Sequence, residues 1–424
     1  MMKVLFIETP APYVVRQHTQ ISLGLLYLAT VVKQKHEVKF IRPDTIKEIN
    51  CSGIDVVCLS STTLEYPMTI DVARFIRSNY PNVKIFVGGT HVSALPDDAI
   101  SNGFFDSVCI GEGENIILEM LTDLSTNELK KIYKAGQLIE NLDSIPFPDR
   151  SLIEGNHGGS IFIDRETTNE NIITSRGCHF NCAFCGSRCT WGRKVRYRST
   201  ENIINEIKEI INKYNNNVFR FSDDSLTSDK KRCLKLCSEL KKLDIVWRTS
   251  IRAESVSDEI ATALINAGCI EISVGIESGD QRVLDFLNKR TTTTKMLNGC
   301  DIAKKAGLNV RALLMIGTPG ERADTPEITR KYLSLLNQDM VCLSTFIPLP
   351  GTPIWNYPDK FNCEILTKDF SLYNKNYFIF KNGKALKRKY IPLIHNKFLS
   401  IDEQKNNIER MEKYIEKLNY NKGQ

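Results

Sequence analysis

Apolar residues along this chain fall into two kinds of run: short blocks rich in Val, Ile, Leu and Phe, and longer stretches in which they recur every three or four positions. Their alternation is the βα rhythm of a parallel sheet covered by helices on both faces. Over residues 3–124 it predicts strands at Val4–Glu8, Glu37–Ile41, Asp55–Ser60, Lys84–Val87 and Ser107–Ile110. Helices are expected at Ser22–Lys35, Met68–Asn79, Asp97–Asn102 and Glu114–Leu124. From 171 the rhythm resumes, with strands expected at Asn171–Ser175, Val218–Ser222, Val246–Arg252, Cys269–Gly275, Asn309–Ile316 and Val341–Pro348. Helical stretches such as Ser199–Tyr214 and Ser228–Lys241 lie between them. The intervening 126–166 has neither period. It is proline-rich at Asn141–Arg150 and glycine-rich at Gly155–Ser160, and reads as an ordered strap. Beyond 361 come an aromatic segment, Phe370–Phe380, a basic one, Lys381–Lys389, and an amphipathic helix with Ile401, Ile408, Met411, Ile415 and Leu418 at helical spacing.

A length of 424 residues accommodates two or three domains, and 42% apolar with 25% charged residues describes an ordinary globular protein. The net charge of +6, from 56 basic and 50 acidic residues, does not call for nucleic acid, although it suits anionic substrates. No apolar run approaches the ~20 residues of a membrane span. The start, Met1 to Glu8, reads as a first strand and not as a signal peptide, so a cytoplasmic protein is expected. Thirteen cysteines, mostly single within apolar segments, fit reduced thiols.

Three of those thiols change the picture. Cys178, Cys182 and Cys185 fall within Ser175-Arg176-Gly177-Cys178-His179-Phe180-Asn181-Cys182-Ala183-Phe184-Cys185-Gly186, directly after a predicted strand. Soft ligands this dense in a reducing compartment indicate metal. Structural zinc could recruit His179 as a fourth ligand, but a ligand adjacent to Cys178 strains a shared tetrahedron. An iron–sulfur cubane held by three thiolates instead leaves one iron open.

The CxxxCxxC spacing with Phe184 before the last cysteine resembles the radical S-adenosylmethionine (SAM) superfamily. That resemblance implies a [4Fe-4S] cluster whose open iron chelates SAM, in a partial (β/α)6 barrel with the cluster loop after its first strand. Chemistry in such barrels belongs at the carboxyl ends of the strands. The resemblance places SAM against Phe184, Asp223 (methionine amine), Arg252 (methionine carboxylate), Glu277 (ribose) and the turn from Gly317 (adenine). Pro348 to Pro353 would close the mouth. Asp224 and Glu321 are expected to be caps or salt-bridge partners.

The first 125 residues carry Ser22-Leu23-Gly24-Leu25-Leu26-Tyr27-Leu28-Ala29, Gly88-Gly89-Thr90-His91-Val92-Ser93-Ala94-Leu95-Pro96 and Gly111-Glu112-Gly113-Glu114. These resemble the cobalamin-binding domain of one branch of that superfamily. The implied corrin site is Ser60, Thr62, Gly88, Gly89, Gly111 and Glu112. Ile46 stands where cobalamin mutases place a cobalt-ligating histidine, so no ligand comes from that loop; His91 is expected to be a turn residue bonded to backbone. The expected organisation is α/β: a doubly wound Rossmann-like cobalamin-binding domain (1–125), a strap (126–166), a partial TIM-type barrel (167–360) and a mainly helical, substrate-side cap (361–424).

Several features carry less. Cys189 would close the iron that SAM needs. Cys233 and Cys237, four apart on an apolar helical face, are expected to be buried thiols. The basic residues from Arg188 to Arg198, interleaved with Trp191 and Tyr197, suit nucleic acid or phosphate, or equally a lid over the cluster.

The resemblance implies a cobalamin-dependent C-methyltransferase acting on an unactivated carbon of a small molecule through a 5′-deoxyadenosyl radical, with flavodoxin or ferredoxin as electron donor. The alternative keeps the radical without the methyl: dehydration, rearrangement or cyclisation. Methylthiolation of transfer RNA would need three cluster cysteines in the first domain, and Cys51, Cys58 and Cys109 are too unevenly placed. A non-catalytic sensor would not need the adenosyl-site segments.

Overall fold

The computed structural model describes residues 1–11, 20–154, 159–161, 166–376, 380–381, 384–385 and 391–421. Pro12, Gly155 to Gly158, the end of the aromatic segment at 377–379 and most of the basic Lys381–Lys389 run lie outside the described residues. The chain forms two compact units. The first comprises Met1–Gly159 with Gly186–Arg196, and the second comprises Ser160–Cys185 with Tyr197–Gln424.

The first unit is built on six parallel strands: β1 (Lys3–Ile7), β2 (Glu37–Ile41), β3 (Val56–Ser60), β4 (Lys84–Gly88), β5 (Ser107–Ile110) and β6 (Ile132–Lys134), in the order 2-1-3-4-5-6. This is a doubly wound sheet, whose ligands belong beyond the strands' carboxyl ends. Val4, Phe6, Val56, Cys58 and Phe86 pack with α1 (Leu23–Lys33) and α5 (Ile117–Ser125) in one core cluster. Helices α2 (Tyr66–Asn79), α3 (Thr90–Ala94) and α4 (Pro96–Ser101) also join this sheet's strands, and α6 (Ser187–Trp191) belongs to the same unit. Two elements differ from expectation. Strand β6, with only its central Tyr133 buried, is too short to show a period in the strap, and α3 is a five-residue turn that starts directly after Gly89.

The second unit carries β7 (Glu170–Ile172), β8 (Val218–Phe221), β9 (Val246–Ile251), β10 (Cys269–Glu277), β11 (Asn309–Ile316) and β12 (Met340–Thr345). All pairings are parallel and each strand neighbours the next, an open six-stranded barrel wall. Between and after them run α7 (Thr200–Tyr214), α8 (Lys230–Leu240), α9 (Asp258–Asn266), α10 (Gln281–Phe286), α11 (Thr293–Lys305), α12 (Thr325–Leu335), α13 (Pro353–Asn356) and α14 (Ile401–Asn421). Five of these helices start on caps that accept from the backbone N–H three residues on: Ser199, Asp229, Ser257, Thr292 and Thr352.

One sheet face is buried under helices, with Trp247 donating to the Ala267 carbonyl at 2.6 Å. Ile408, Met411 and Ile415 of α14 join this core, as their spacing predicts. The Asn419 amide accepts from Val341 N at 3.2 Å and donates to Val341 O at 2.8 Å, so it occupies backbone groups of the edge strand β12.

Candidate active site

The cysteine loop leaves β7 through Gly177, whose φ of +96° is accessible chiefly to glycine. Side chain and backbone both pin it. Ala183 N donates to Leu287 O at 2.8 Å, its carbonyl accepts from Ile354 N at 3.2 Å, and Asn288 Nδ2 donates to Asn181 O at 2.7 Å. Phe184 packs beside Ala183, Leu287 and Ile354. Cys178, Cys182 and Cys185 are half-buried free thiols, whereas Cys233, Cys237, Cys269 and Cys300 are buried. Burial raises the Cys178 thiol above its ordinary range, which a ligated iron would offset.

Among the described residues no three His, Cys, Asp or Glu side chains converge on a single-ion site. A zinc site requires that convergence. A cubane that takes each thiolate on a different iron does not, so the donor set fits the cluster.

Three barrel strands bring charged groups to this loop. Arg252, just past β9, lies with its guanidinium carbon 3.9 Å from the Phe180 ring centroid and Nη1 3.6 Å from Cys182 Sγ. Its Nε pairs with Glu254 and its Nη2 donates to Lys289 O at 2.5 Å. Three of the five guanidinium N–H groups are thereby used, leaving two that could meet a carboxylate.

Glu277 ends β10 at φ +64°, a left-handed backbone rare for this residue type, beside an irregularity in the ladder. Its Oε1 accepts from buried Lys289 Nζ at 2.6 Å. A Cβ on Gly275 would stand 3.0 Å from Lys289 Nζ, so that glycine makes room for the pair. Lys289 is the buried partner at this candidate site that sequence reasoning missed. It sits between Asn288 and Arg290, both at positive φ (51° and 54°), in a polar linker with no periodicity to mark it.

Asp223, just past β8, is held by the backbone that leads into the cysteine loop. Its Oδ1 accepts from Thr174 N at 2.8 Å, Ser175 N at 2.6 Å and Ser175 Oγ at 2.9 Å, and its Oδ2 accepts from Thr174 Oγ1 at 2.7 Å. Three of these bonds fall on Oδ1 and one on Oδ2, so the carboxylate is anchored chiefly through Oδ1. The neighbouring Asp224 is exposed and close enough to Cys178 to raise its thiol electrostatically. Gly317 takes φ +78°, and the Glu321 carboxylate closes the following turn by accepting from Thr318 N at 2.9 Å and Thr318 Oγ1 at 3.0 Å. Burial pushes Glu321 up to about 7.

In the first unit, Ser60, Gly88, Gly89 and Gly111 rim a cleft of about 50 Å³ with walls of Leu25, Leu28, Phe86, Ile117 and Met120. A Cβ on Gly89, at φ +98°, would meet Ser61 N and O at 2.6 Å, and one on Gly113 would meet Leu28 Cδ2 at 3.0 Å. Bare backbone with aliphatic walls suits a flat ring with polar substituents, and the chemistry of the lining fits a corrin's nucleotide tail.

Two predicted members are not there. Glu112 is buried and accepts from Arg196 Nη1 and Ile139 N, both at 2.7 Å, so it is an ion-pair anchor. Thr62 is exposed outside the cleft lining, with its N–H donated to Glu65 Oε2 at 3.0 Å. His91 is fully buried and stacked on Tyr66, with Nδ1 3.2 Å from Thr63 Oγ1 and Nε2 3.9 Å from Asp98 Oδ2. Two members of the basic Arg188–Arg198 group are structural: Arg196 pairs with Glu112, and Arg198 with Glu206 at 2.5 Å, all buried. Cys233 and Cys237 are buried in α8, as expected.

A half-exposed three-thiol loop beside an arginine at the carboxyl edge of an open barrel defines an iron–sulfur protein of the α/β-barrel class. Residues 172–333 match the Radical SAM superfamily, and residues 13–121 match the B12 binding domain. The chain is 30% identical over 426 residues to PH0819, an uncharacterized methyltransferase of Pyrococcus horikoshii, covering 92% of each. It is 24% identical over 382 residues to bacteriochlorophyllide d C-12(1)-methyltransferase of Chlorobaculum tepidum, covering 88% of this chain and 81% of that protein. A solved structure of the radical SAM methyltransferase TsrM from Kitasatospora setae, with cobalamin and [4Fe-4S] cluster bound, shares the fold at TM-score 0.66 and 14% identity, over 87% of this chain and 81% of that one. The chain belongs to the radical SAM superfamily, in the branch with a B12 binding domain; it is an enzyme whose cofactors are a [4Fe-4S] cluster, SAM and cobalamin. No described helix is long and apolar enough to cross a membrane.

Proposed function

We propose that this chain is a cobalamin-dependent methyltransferase that places a methyl group on an unactivated carbon of a small molecule. The observation that carries the reading is the joint presence, in one chain, of the half-exposed three-cysteine loop and a glycine-rimmed, aliphatic-walled cleft at a second sheet's carboxyl edge. When bound, the cluster, SAM and cobalamin together supply one-electron cleavage of SAM, hydrogen abstraction from carbon and a methyl group, chemistry that no side chain provides.

The protein's share is holding and orienting. Cys178, Cys182 and Cys185 hold the cluster. Arg252 and Asp224 offer opposite charges to the carboxylate and ammonium of SAM, Glu277 holds the ribose with Lys289 behind it, and the Gly317 turn and Phe184 border the adenine. Ser60, Gly88, Gly89 and Gly111 admit the corrin's tail. We assign residues 1–125 to cobalamin, 126–166 to the strap, 167–360 to the barrel and 361–424 to a substrate-side cap. The electron comes from a flavodoxin or ferredoxin in the reducing cytoplasm.

The test is anaerobic reconstitution with hydroxocobalamin and SAM, read by visible spectroscopy and mass spectrometry. Bound corrin, and 5′-deoxyadenosine on reduction with substrate, are expected. Absence of corrin binding removes the methyl-transfer reading; absence of 5′-deoxyadenosine removes the radical one.

A further inference from the structure

Arg252 meets the cysteine loop with every nitrogen of its side chain engaged. Nη1 donates to Cys182 Sγ at 3.6 Å, Nη2 donates to Lys289 O at 2.5 Å, and Nε pairs with Glu254. The guanidinium also lies over the ring of Phe180, which belongs to the loop itself. A planar fork fixes these directions together, so three partners on two sides hold the remaining corner against the sulfur. The side chain is only 10% exposed, and water does little to weaken the contact.

Glu254 balances the charge. Its Oε2 is buried with no hydrogen-bond partner among the described residues, so the carboxylate is held through Arg252. Seen from a distance the pair is neutral, and Lys289 is likewise neutralised by Glu277. What Cys182 receives is therefore short-range: one N–H group aimed at one sulfur. Hydrogen bonds to the sulfurs are among the factors that set the potential of an iron–sulfur cluster. A cubane core on three thiolates is already anionic, and reduction adds a further negative charge. A donor on a ligating sulfur stabilises that more negative state, which raises the potential.

We infer that Arg252 is a positioning residue acting through Cys182: its Nη1–H group raises the reduction potential of the cluster and so eases entry of the electron from the donor protein. This role is additional to the SAM carboxylate proposed for Arg252, and it rests on the cluster reading. Glu254 and the Lys289 carbonyl keep the fork in register with the sulfur.

The test is a redox titration of the anaerobically reconstituted chain without SAM, using dithionite and low-potential mediators and read by electron paramagnetic resonance of the reduced cluster. Arg252→Met combined with Glu254→Gln removes the donor without stranding a buried carboxylate. Its one-electron reduction should become about tenfold less favourable, about 59 mV more negative. Arg252→Lys keeps the cation but loses the fork and should shift the potential in the same direction, which decides the matter if the double variant takes up no iron. Arg290→Gln removes an exposed cation nearby in sequence and should leave the potential at the wild-type value. Wild-type potentials in the iron-loaded Arg252 variants, or an equal shift in Arg290→Gln, overturn the role of Arg252. Iron content and visible absorbance are read before any titration, so a wild-type chain that takes up no iron overturns the cluster reading itself.

Discussion

Lys289 Nζ lies 2.6 Å from Glu277 Oε1 with both side chains almost wholly buried, and the Lys289 carbonyl takes a hydrogen bond from Arg252. One residue therefore braces two groups proposed to hold SAM. Removing a single partner from a buried pair strands the other charge, at a cost of about 3–5 kcal/mol. Lys289→Met should lower the unfolding midpoint and weaken SAM binding, and Lys289→Met combined with Glu277→Gln should recover part of the stability. Additive losses in that cycle, measured by denaturant unfolding, would show that the two residues are not coupled.

Asp223 and Asp224 separate stability from binding under the proposed site. Asp223→Asn turns a four-bond acceptor into a side chain with one oxygen and should lower the midpoint, because Thr174 and Ser175 lose partners. Asp224→Asn, at an exposed position, should lower the midpoint less than Asp223→Asn does and weaken SAM binding. The reverse pattern would restore the sequence-based assignment.

Cys182→Ala should abolish the brown absorbance of reconstituted protein and lower its iron content, whereas Cys189→Ala and Cys237→Ala retain both. A full cluster in the Cys182 variant would remove that residue from the ligand set.

Gly89→Ala forces a Cβ to within 2.6 Å of Ser61 backbone atoms at a positive φ. It should destabilise the first unit and eliminate hydroxocobalamin binding. Thr62→Ala, outside the cleft lining, should bind like wild type in the same visible titration.

Glu321 introduces a pH slope. Its folded-state value of about 7 lies above the ordinary 4.5, so the folded chain binds the proton more tightly than the unfolded one. That stability is fully present below pH 4.5 and is lost as pH rises through about 7. Thermal unfolding between pH 5 and pH 8 should show a fall that Glu321→Gln lacks; a variant with the same slope would assign it elsewhere.

The strands were legible because short blocks rich in Val, Ile, Leu and Phe recur at βα spacing, near-continuous in the first unit and alternating in the second, and α14 because its stripe keeps one period over several turns. The cluster loop was legible because ligand spacing is local. The misplaced residues depended on what is not local. Asp223 and Asp224 are adjacent at a strand end, and which of them turns inward follows from the pleat and not from composition. Glu112 read as a strand-end polar group because its partner Arg196 is 84 residues away. Lys289 had no signal, since a lone lysine in a linker looks like any solvated one.

The return of Gly186–Arg196 to the first unit has an evolutionary and practical consequence. The backbone changes unit three times, after Gly159, after Cys185 and after Arg196, so no single cut divides the chain into its halves. A fragment ending at residue 159 would keep the Glu112 carboxylate in its apolar setting and discard the guanidinium that neutralises it. Recombination between relatives therefore has to move two stretches together, and a graft of the amino-terminal portion alone should misfold unless residues 186–196 travel with it.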